Sequence, residues 1–184
     1  MGSFSSSFKK NAESFAASQK HREKNAKKTL HEKFLNSHIL AQKKAIETLS
    51  SIKFTPDLKR LLLSFLIWTE GGKSSDRYVT FINSDPLMVQ TFLKLLRQSF
   101  VIQEEKIRAL IHMHEYHNEE KTMQFWMNIT NLPKNLFSKT YRKPHTGHRK
   151  RINYQGCIRV RYYNAYIARE LAALYNSCAH SLGS

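Results

Sequence analysis

Three groups of residues in this chain have the types and spacing to do chemistry. Glu70 closes the strongly apolar stretch Leu61-Leu62-Leu63-Ser64-Phe65-Leu66-Ile67-Trp68-Thr69 and is followed by Gly71-Gly72. A carboxylate at the C-terminal end of a helix opposes the helix dipole, a local cost of the kind that sits at functional sites. His112-x-His114 puts two imidazoles on one face of a strand, with His117 nearby on the other. That pair can chelate zinc or iron, although no third ligand is dictated and Asn118 breaks a His-Glu-x-x-His reading; a packed or DNA-facing strand is the favoured explanation. The third group is basic: Lys139, Arg142, Lys143, His145, His148, Arg149, Lys150 and Arg151 interleave with Tyr141, and Arg159 and Arg161 follow at alternate positions of a strand. Seven Lys/Arg within residues 133–151, with no acid, repel one another unless a polyanion lies across them. A solvated basic loop is the plainer alternative.

Other chemistries find no support. The chain has no Gly-rich phosphate loop and no Gly-x-Ser-x-Gly elbow, so no nucleotide cofactor is expected. Its two cysteines, Cys157 and Cys178, form no C-x-x-C and read as packed thiols of a reducing compartment. No apolar run approaches the ~20 residues of a membrane span, so the expected location is cytoplasmic or otherwise intracellular, on the nucleoid if the source is bacterial. Residues 1–8 read as a disordered start that also fits the short Met-Gly-x-x-x-Ser/Thr myristoylation pattern.

The charge is unevenly placed. The 184 residues carry 30 Lys+Arg against 14 Asp+Glu, a net of +16. Residues 1–53 hold 11 basic and 4 acidic side chains, residues 54–132 hold 9 of each, and residues 133–184 hold 10 basic and Glu170 alone. A charge-balanced body between two basic regions suits an extended polyanion gripped along its length, with nucleic acid as the default partner.

Elements must position these residues. Residues 9–53 lack Pro and Gly and predict a basic helical arm, with a moderate apolar stripe of Leu30, Phe34, Leu35, His38, Ile39 and Ala41. Thr55-Pro56-Asp57 starts a second helix, apolar nearly all round and hence expected to be buried on most sides; the glycines after Glu70 are expected to end it in the left-handed conformation. Tyr78–Asn83 predicts a strand, Ser84 or Asp85 with Pro86 a helix start, and Ile107–Tyr116 a strand. Glu119–Ile129 predicts a short helix, Phe137–Arg142 a strand, Tyr154–Tyr163 a strand, and Ala165–Cys178 a closing helix. That order gives an α+β domain with helices on one sheet, spanning 54–178, and a disordered tail at 179–184.

Leu63-Ser64-Phe65-Leu66-Ile67-Trp68-Thr69-Glu70-Gly71 resembles the motif that names the LAGLIDADG homing endonucleases: Leu63, Leu66, Ile67 and Gly71 are identical, and Glu70 takes the acid's place. Phe65 stands where the family usually has Gly, and Trp68 where the name has Asp. Residues 55–176 are also similar to a group of uncharacterised bacterial proteins with this domain. The shared elements are Trp68-x-Glu70-Gly71-x-Lys73, Asn83-Ser84-Asp85-Pro86, His112-Met113-His114-Glu115 and Tyr154-x-Gly156-Cys157.

The resemblance implies a single α-β-β-α-β-β-α domain, here with an extra inserted helix at 117–133 and a basic N-terminal helical extension. One motif per chain implies a homodimer whose motif helices meet through Leu62, Phe65, Leu66 and Thr69. It implies site-specific duplex DNA binding and Mg²⁺-dependent phosphodiester cleavage, with Glu70 and Gly71 at the metal. Lys73 and Arg77 would lie beside the scissile phosphate. Lys139, Arg142, Lys143, Arg149, Lys150, Arg151, Arg159 and Arg161 are the expected DNA contacts. Alternatives are a non-cleaving DNA-binding regulator on the same fold and an RNA-binding or intron-splicing cofactor, with Tyr141, Tyr154, Tyr162 and Tyr163 as stacking candidates.

Overall fold

A computed structural model describes residues 4–72, 76–144, 146–147 and 154–183, the side chains of 4–18 and of Glu23 excepted. The chain divides into two units, Met1–Lys53 and Phe54–Ser184.

The first unit is one helix, α1, Phe4–Ser51. It starts before residue 9, so residues 4–8 of the expected disordered start are helical. Every described side chain in it is exposed.

The second unit is mixed α+β. Its elements are α2 (Pro56–Glu70), β1 (Val79–Asn83), α3 (Pro86–Ser99), β2 (Ile107–His114), α4 (Glu119–Thr130), β3 (Tyr141–Lys143), β4 (Cys157–Tyr162) and α5 (Ala165–Gly183). Short 3-10 turns at Glu104–Lys106 and Lys134–Leu136 precede β2 and β3. Side-chain caps mark four helix starts: the Thr55 hydroxyl accepts from Leu58 N, the Asp85 carboxylate from Leu87 N and Met88 N, the Asn118 amide oxygen from Lys121 N, and the Asn164 amide oxygen from Ile167 N.

The sheet order is β1-β4-β2-β3. β4 pairs antiparallel with both neighbours, Phe81↔Val160 and Ala109↔Val160 marking the register. β3 lies parallel to β2, through His112↔Tyr141 and His114↔Lys143. A parallel neighbour requires a crossover, and α4 supplies it. β3 is shorter than expected. Phe137 makes only an isolated bridge to Ala109, because Lys134–Leu136 turns as a 3-10 segment just before it.

One face of the sheet carries the core. Val79, Phe81, Ile107, Ala109, Ile111, Met113, Ile158, Val160 and Tyr162 alternate inward and meet Leu63 and Ile67 of α2, Phe92 and Leu96 of α3, Trp126 of α4, and Ile167 and Leu171 of α5. Phe81 and Phe92 stack with centroids 4.6 Å apart, and the Trp126 indole N–H donates to the Gln155 carbonyl at 2.7 Å. That bond ties α4 to the approach to β4.

Three expectations are corrected. α2 is not buried on most sides: only Leu63, Ser64 and Ile67 are fully buried. Leu62 stays 38% exposed, because the packing of the helix within its unit is against α3, α5 and β1. Its terminating Gly71 is not left-handed, having φ −89° and ψ 161°. Glycine is needed there for space, since a Cβ would lie 2.4 Å from the Ile67 carbonyl oxygen and 2.8 Å from that of Thr80. Finally, α5 continues to Gly183, so residues 179–183 are helical and not a disordered tail.

Candidate nucleic-acid interface

Strand alternation turns the other side chains of the sheet to the face opposite the core, where Ile82, Arg108, Tyr141 and Lys143 are exposed, Thr80 is buried and the rest are half-buried. Paired residues share a face, so the register orders them in rows. Thr80, Arg161 and Arg108 form one row, and Ile82, Arg159 and Leu110 the next. Cys157, His112 and Tyr141 follow, then His114 and Lys143. The face thus gathers three arginines, a lysine and two histidines, and no acidic residue lies among these strand positions.

The crowding leaves electrostatic traces. Burial, and then the neighbouring Arg161, lower the Arg159 pKa from its ordinary value. Burial likewise lowers that of His112, with Arg159 and Lys143 adding repulsion. The Arg161 guanidinium lies 4.7 Å from the centroid of the Tyr78 ring. Among the described residues, the buried atoms Arg161 Nε, His112 Nε2 and Thr80 Oγ1 have no hydrogen-bond partner. Arg108 is held by its own backbone, donating to the Glu105 and Ile107 carbonyls at 2.6 and 2.7 Å. Repelling cations and unsatisfied donors on one face suit an anion that accepts from several of them. Cys157 lies among them as a packed thiol, for burial pushes its pKa up.

Glu70 stands at the sheet's β1 edge. Gly71 bridges to Phe81, and Gly72 N donates to the Thr80 carbonyl at 3.3 Å, so the chain leaving α2 runs straight onto that edge. This contact is the only described strand pairing between α2 and β1, where the α-β-β-α order implied by the resemblance calls for a first strand. The Glu70 carboxylate is exposed, and its Oε2 accepts from Asn83 Nδ2 at 3.2 Å. Asn83 is itself fixed, its Oδ1 accepting from Asp85 N at 2.8 Å.

A divalent cation finds only part of a site in one chain. Among the described residues no three His, Cys, Asp or Glu side chains gather round one point. Glu70 can give a carboxylate oxygen and Gly71 a carbonyl. Magnesium, which takes one or two carboxylates plus waters and substrate phosphates, fits such a half-site when a second chain and a phosphate complete it.

The other residues singled out from the sequence fall into distinct places. Lys143, Arg159 and Arg161 are brought together on the face opposite the core. Arg142 is not: it lies on the opposite side of β3, paired with Met113, and its guanidinium forms an ion pair with Glu119. The alternation that exposes Lys143 on that face necessarily turns Arg142 away. Lys139 is exposed in the segment before β3, and Arg77 precedes β1. Lys73, Arg149, Lys150 and Arg151 lie outside the described residues, as do His145 and His148.

On α2, Leu62, Phe65 and Thr69 form a stripe away from the core, Leu62 and Thr69 exposed and Phe65 half-buried with its ring edge-on to Trp68, whereas Leu66 packs partly into the chain's own core. Trp68 turns to α5, where its ring stacks on Tyr175 with centroids 5.4 Å apart. Tyr162 is buried, with its hydroxyl accepting from Gln103 N, and is removed from the stacking candidates. Arg108 and Asn83 were missed. The alternation of Ile107–His114 puts Arg108 in phase with His112 and His114, so its place was legible; the Asn83–Glu70 contact spans thirteen residues and has no local signal.

Compared with protein-family models, with curated proteins and with solved structures, the chain matches none. No helix among the described residues is long and apolar enough to cross a membrane.

Proposed function

We propose that this protein binds duplex DNA through the face of its sheet opposite the core, as a homodimer of LAGLIDADG-like domains, and cuts it with Mg²⁺ at Glu70. The observation that carries the reading is the set of neighbouring strand positions, none of them acidic, at which Arg108, Arg159, Arg161 and Lys143 share one face.

In this reading Arg161 and Arg108, side by side across β4 and β2, take backbone phosphates. Arg159 and the imidazole of His112 lie one and two rows further on, toward the base edges. Tyr141 and Lys143 extend the track along β3. Asn83 holds the Glu70 carboxylate in one orientation at the β1 edge, and the outward stripe of α2 meets the same stripe of a second copy. When bound there, a divalent cation neutralises phosphate charge and lowers the pKa of water. Two copies bring two Glu70 carboxylates to one duplex, one for each strand.

A second reading is recognition without cutting. Phe65 favours it, a large ring on the outward stripe of α2, where the resemblance puts a glycine at the closest approach of paired helices. Selection from randomised duplex DNA with Mg²⁺, scoring bound and cut molecules separately, tests both. Cutting at a near-palindromic site that Glu70→Gln abolishes supports the nuclease. Binding without cutting by the wild type assigns the recognition role. Preference for matched RNA over DNA overturns both.

A further inference from the structure

The C-terminal half of α1 has a second kind of surface, unrelated to the basic sheet. Leu35, Ile39, Gln42, Ile46 and Leu49 recur at intervals of four, three, four and three residues. On an α-helix that spacing makes one continuous seam with a mean period of 3.5. Leu35, Ile39, Ile46 and Leu49 are 45%, 64%, 61% and 54% exposed, so the seam is open to a partner. A helix face of this kind gains its stability by packing, and an unpacked one asks for a partner.

We infer that this seam pairs with the same seam of a second copy, as a parallel two-stranded coiled coil over residues 35–49. Three observations select that occupant. The β-branched Ile39 and Ile46 fall at the a positions, and Leu35 and Leu49 at d, the distribution that favours parallel dimers. The remaining d position is Gln42, whose amide both donates and accepts. Only an in-register copy sets another Gln42 opposite it. Charge argues against a membrane or a nucleic acid on this stretch. Residues 30–52 hold Lys33, Lys43 and Lys44 against Glu32 and Glu47, nearly balanced, and Lys43 and Glu47 approach to 4.0 Å on the polar side. The excess lies upstream, where residues 9–28 hold seven Lys/Arg against Glu13 and Glu23. Parallel pairing over 35–49 therefore brings two basic helical segments out side by side. The inference stands apart from the sheet's function, since it concerns α1 alone and needs no DNA.

Cysteine cross-linking of the full chain tests it, in a background with Cys157 and Cys178 replaced by Ser. Leu49→Cys, on the seam near one end, is expected to give a disulfide-linked dimer under mild oxidation without DNA. Lys44→Cys, on the far side of the helix, is expected to give several-fold less. Adding Ile39→Lys and Ile46→Lys to Leu49→Cys is expected to abolish the linked species. Since both isoleucines are exposed, the near-ultraviolet circular dichroism of the second unit should not change. Equal linkage at positions 44 and 49, or none at 49, overturns the inference. So does antiparallel pairing, which leaves position 49 unlinked but joins Leu35→Cys to Leu49→Cys in a mixture. Binding of the wild type to anionic phospholipid vesicles, lost with the two lysines and unaccompanied by linkage, would assign the seam to a membrane instead.

Discussion

His112 concentrates the residue-scale physics. Its imidazole is partly buried beside Arg159 and Lys143, and its pKa in the folded chain is lowered for those reasons, burial first. The unfolded chain therefore binds the proton more readily. Stability from this group is complete above about pH 6.5 and is lost as pH falls toward the lowered folded value. A bound polyanion reverses the local repulsion and favours the imidazolium. The free protein should thus lose stability on acidification while its affinity for DNA rises, and His112→Gln should weaken both trends. Thermal melts and binding titrations across pH 5–8 read the two; affinity that is flat in pH for the wild type would place the DNA away from His112. Glu70→Gln belongs to the same scale. In the proposed nuclease, cutting should disappear, with binding equal to or tighter than the wild type's, because the substitution removes a negative charge that the proposal sets against phosphate. Retained cutting would eliminate Glu70 as the catalytic residue.

At the scale of elements, the junction from α2 into β1 is the most constrained. Gly71 N donates to the Ile67 carbonyl at 2.9 Å while the Thr80 carbonyl presses from the other side. Gly71→Ala has no room for its methyl group and should cost about 1–3 kcal/mol, the usual range for overpacking. A melting temperature equal to the wild type's would mean that the junction yields. Thr55→Ala removes the hydroxyl that accepts from Leu58 N and should cost about 1 kcal/mol, as a lost N-cap does. Gly156 plays the corresponding part at the start of β4. It has φ +74°, and a Cβ there would lie 2.5 Å from the His112 carbonyl oxygen, so this glycine serves both conformation and close approach.

The whole molecule separates its cations into two classes that composition alone merges. Arg142 with Glu119, Arg169 with Asp76 and Arg97 with Glu104 are ion-paired within the fold. Arg108, Arg159, Arg161 and Lys143 stand together on the face opposite the core. Salt dependence of DNA binding distinguishes them. Each alanine substitution at Arg108, Arg159 or Arg161 that removes a phosphate contact should reduce the slope of log K against log salt by about 0.9. Arg142→Ala should leave the slope unchanged. A drop for Arg142 and none for the three arginines would move the interface to the other side of β3.

The sequence alone was enough to place the helix starts at Thr55 and at Ser84 or Asp85, because capping is a short-range matter of one side chain and the next amides; the structure selected Asp85. It was enough for the phase of the long strand 107–114 and for the pairing of Arg159 with Arg161 on one face, since alternation needs only the pleat. It also located the charge in two basic regions. Tertiary structure decided what those cations face. The parallel placement of β3, made by the α4 crossover, put Lys143 with the arginines and turned Arg142 to Glu119. The packing of α2 sent Trp68 to Tyr175 and left Phe65 outward, a choice between two sides of one apolar helix that its own residues do not make. Contacts such as Asn83 to Glu70 depend on where distant backbone segments come to rest, and packing of the whole sheet and its helices sets that.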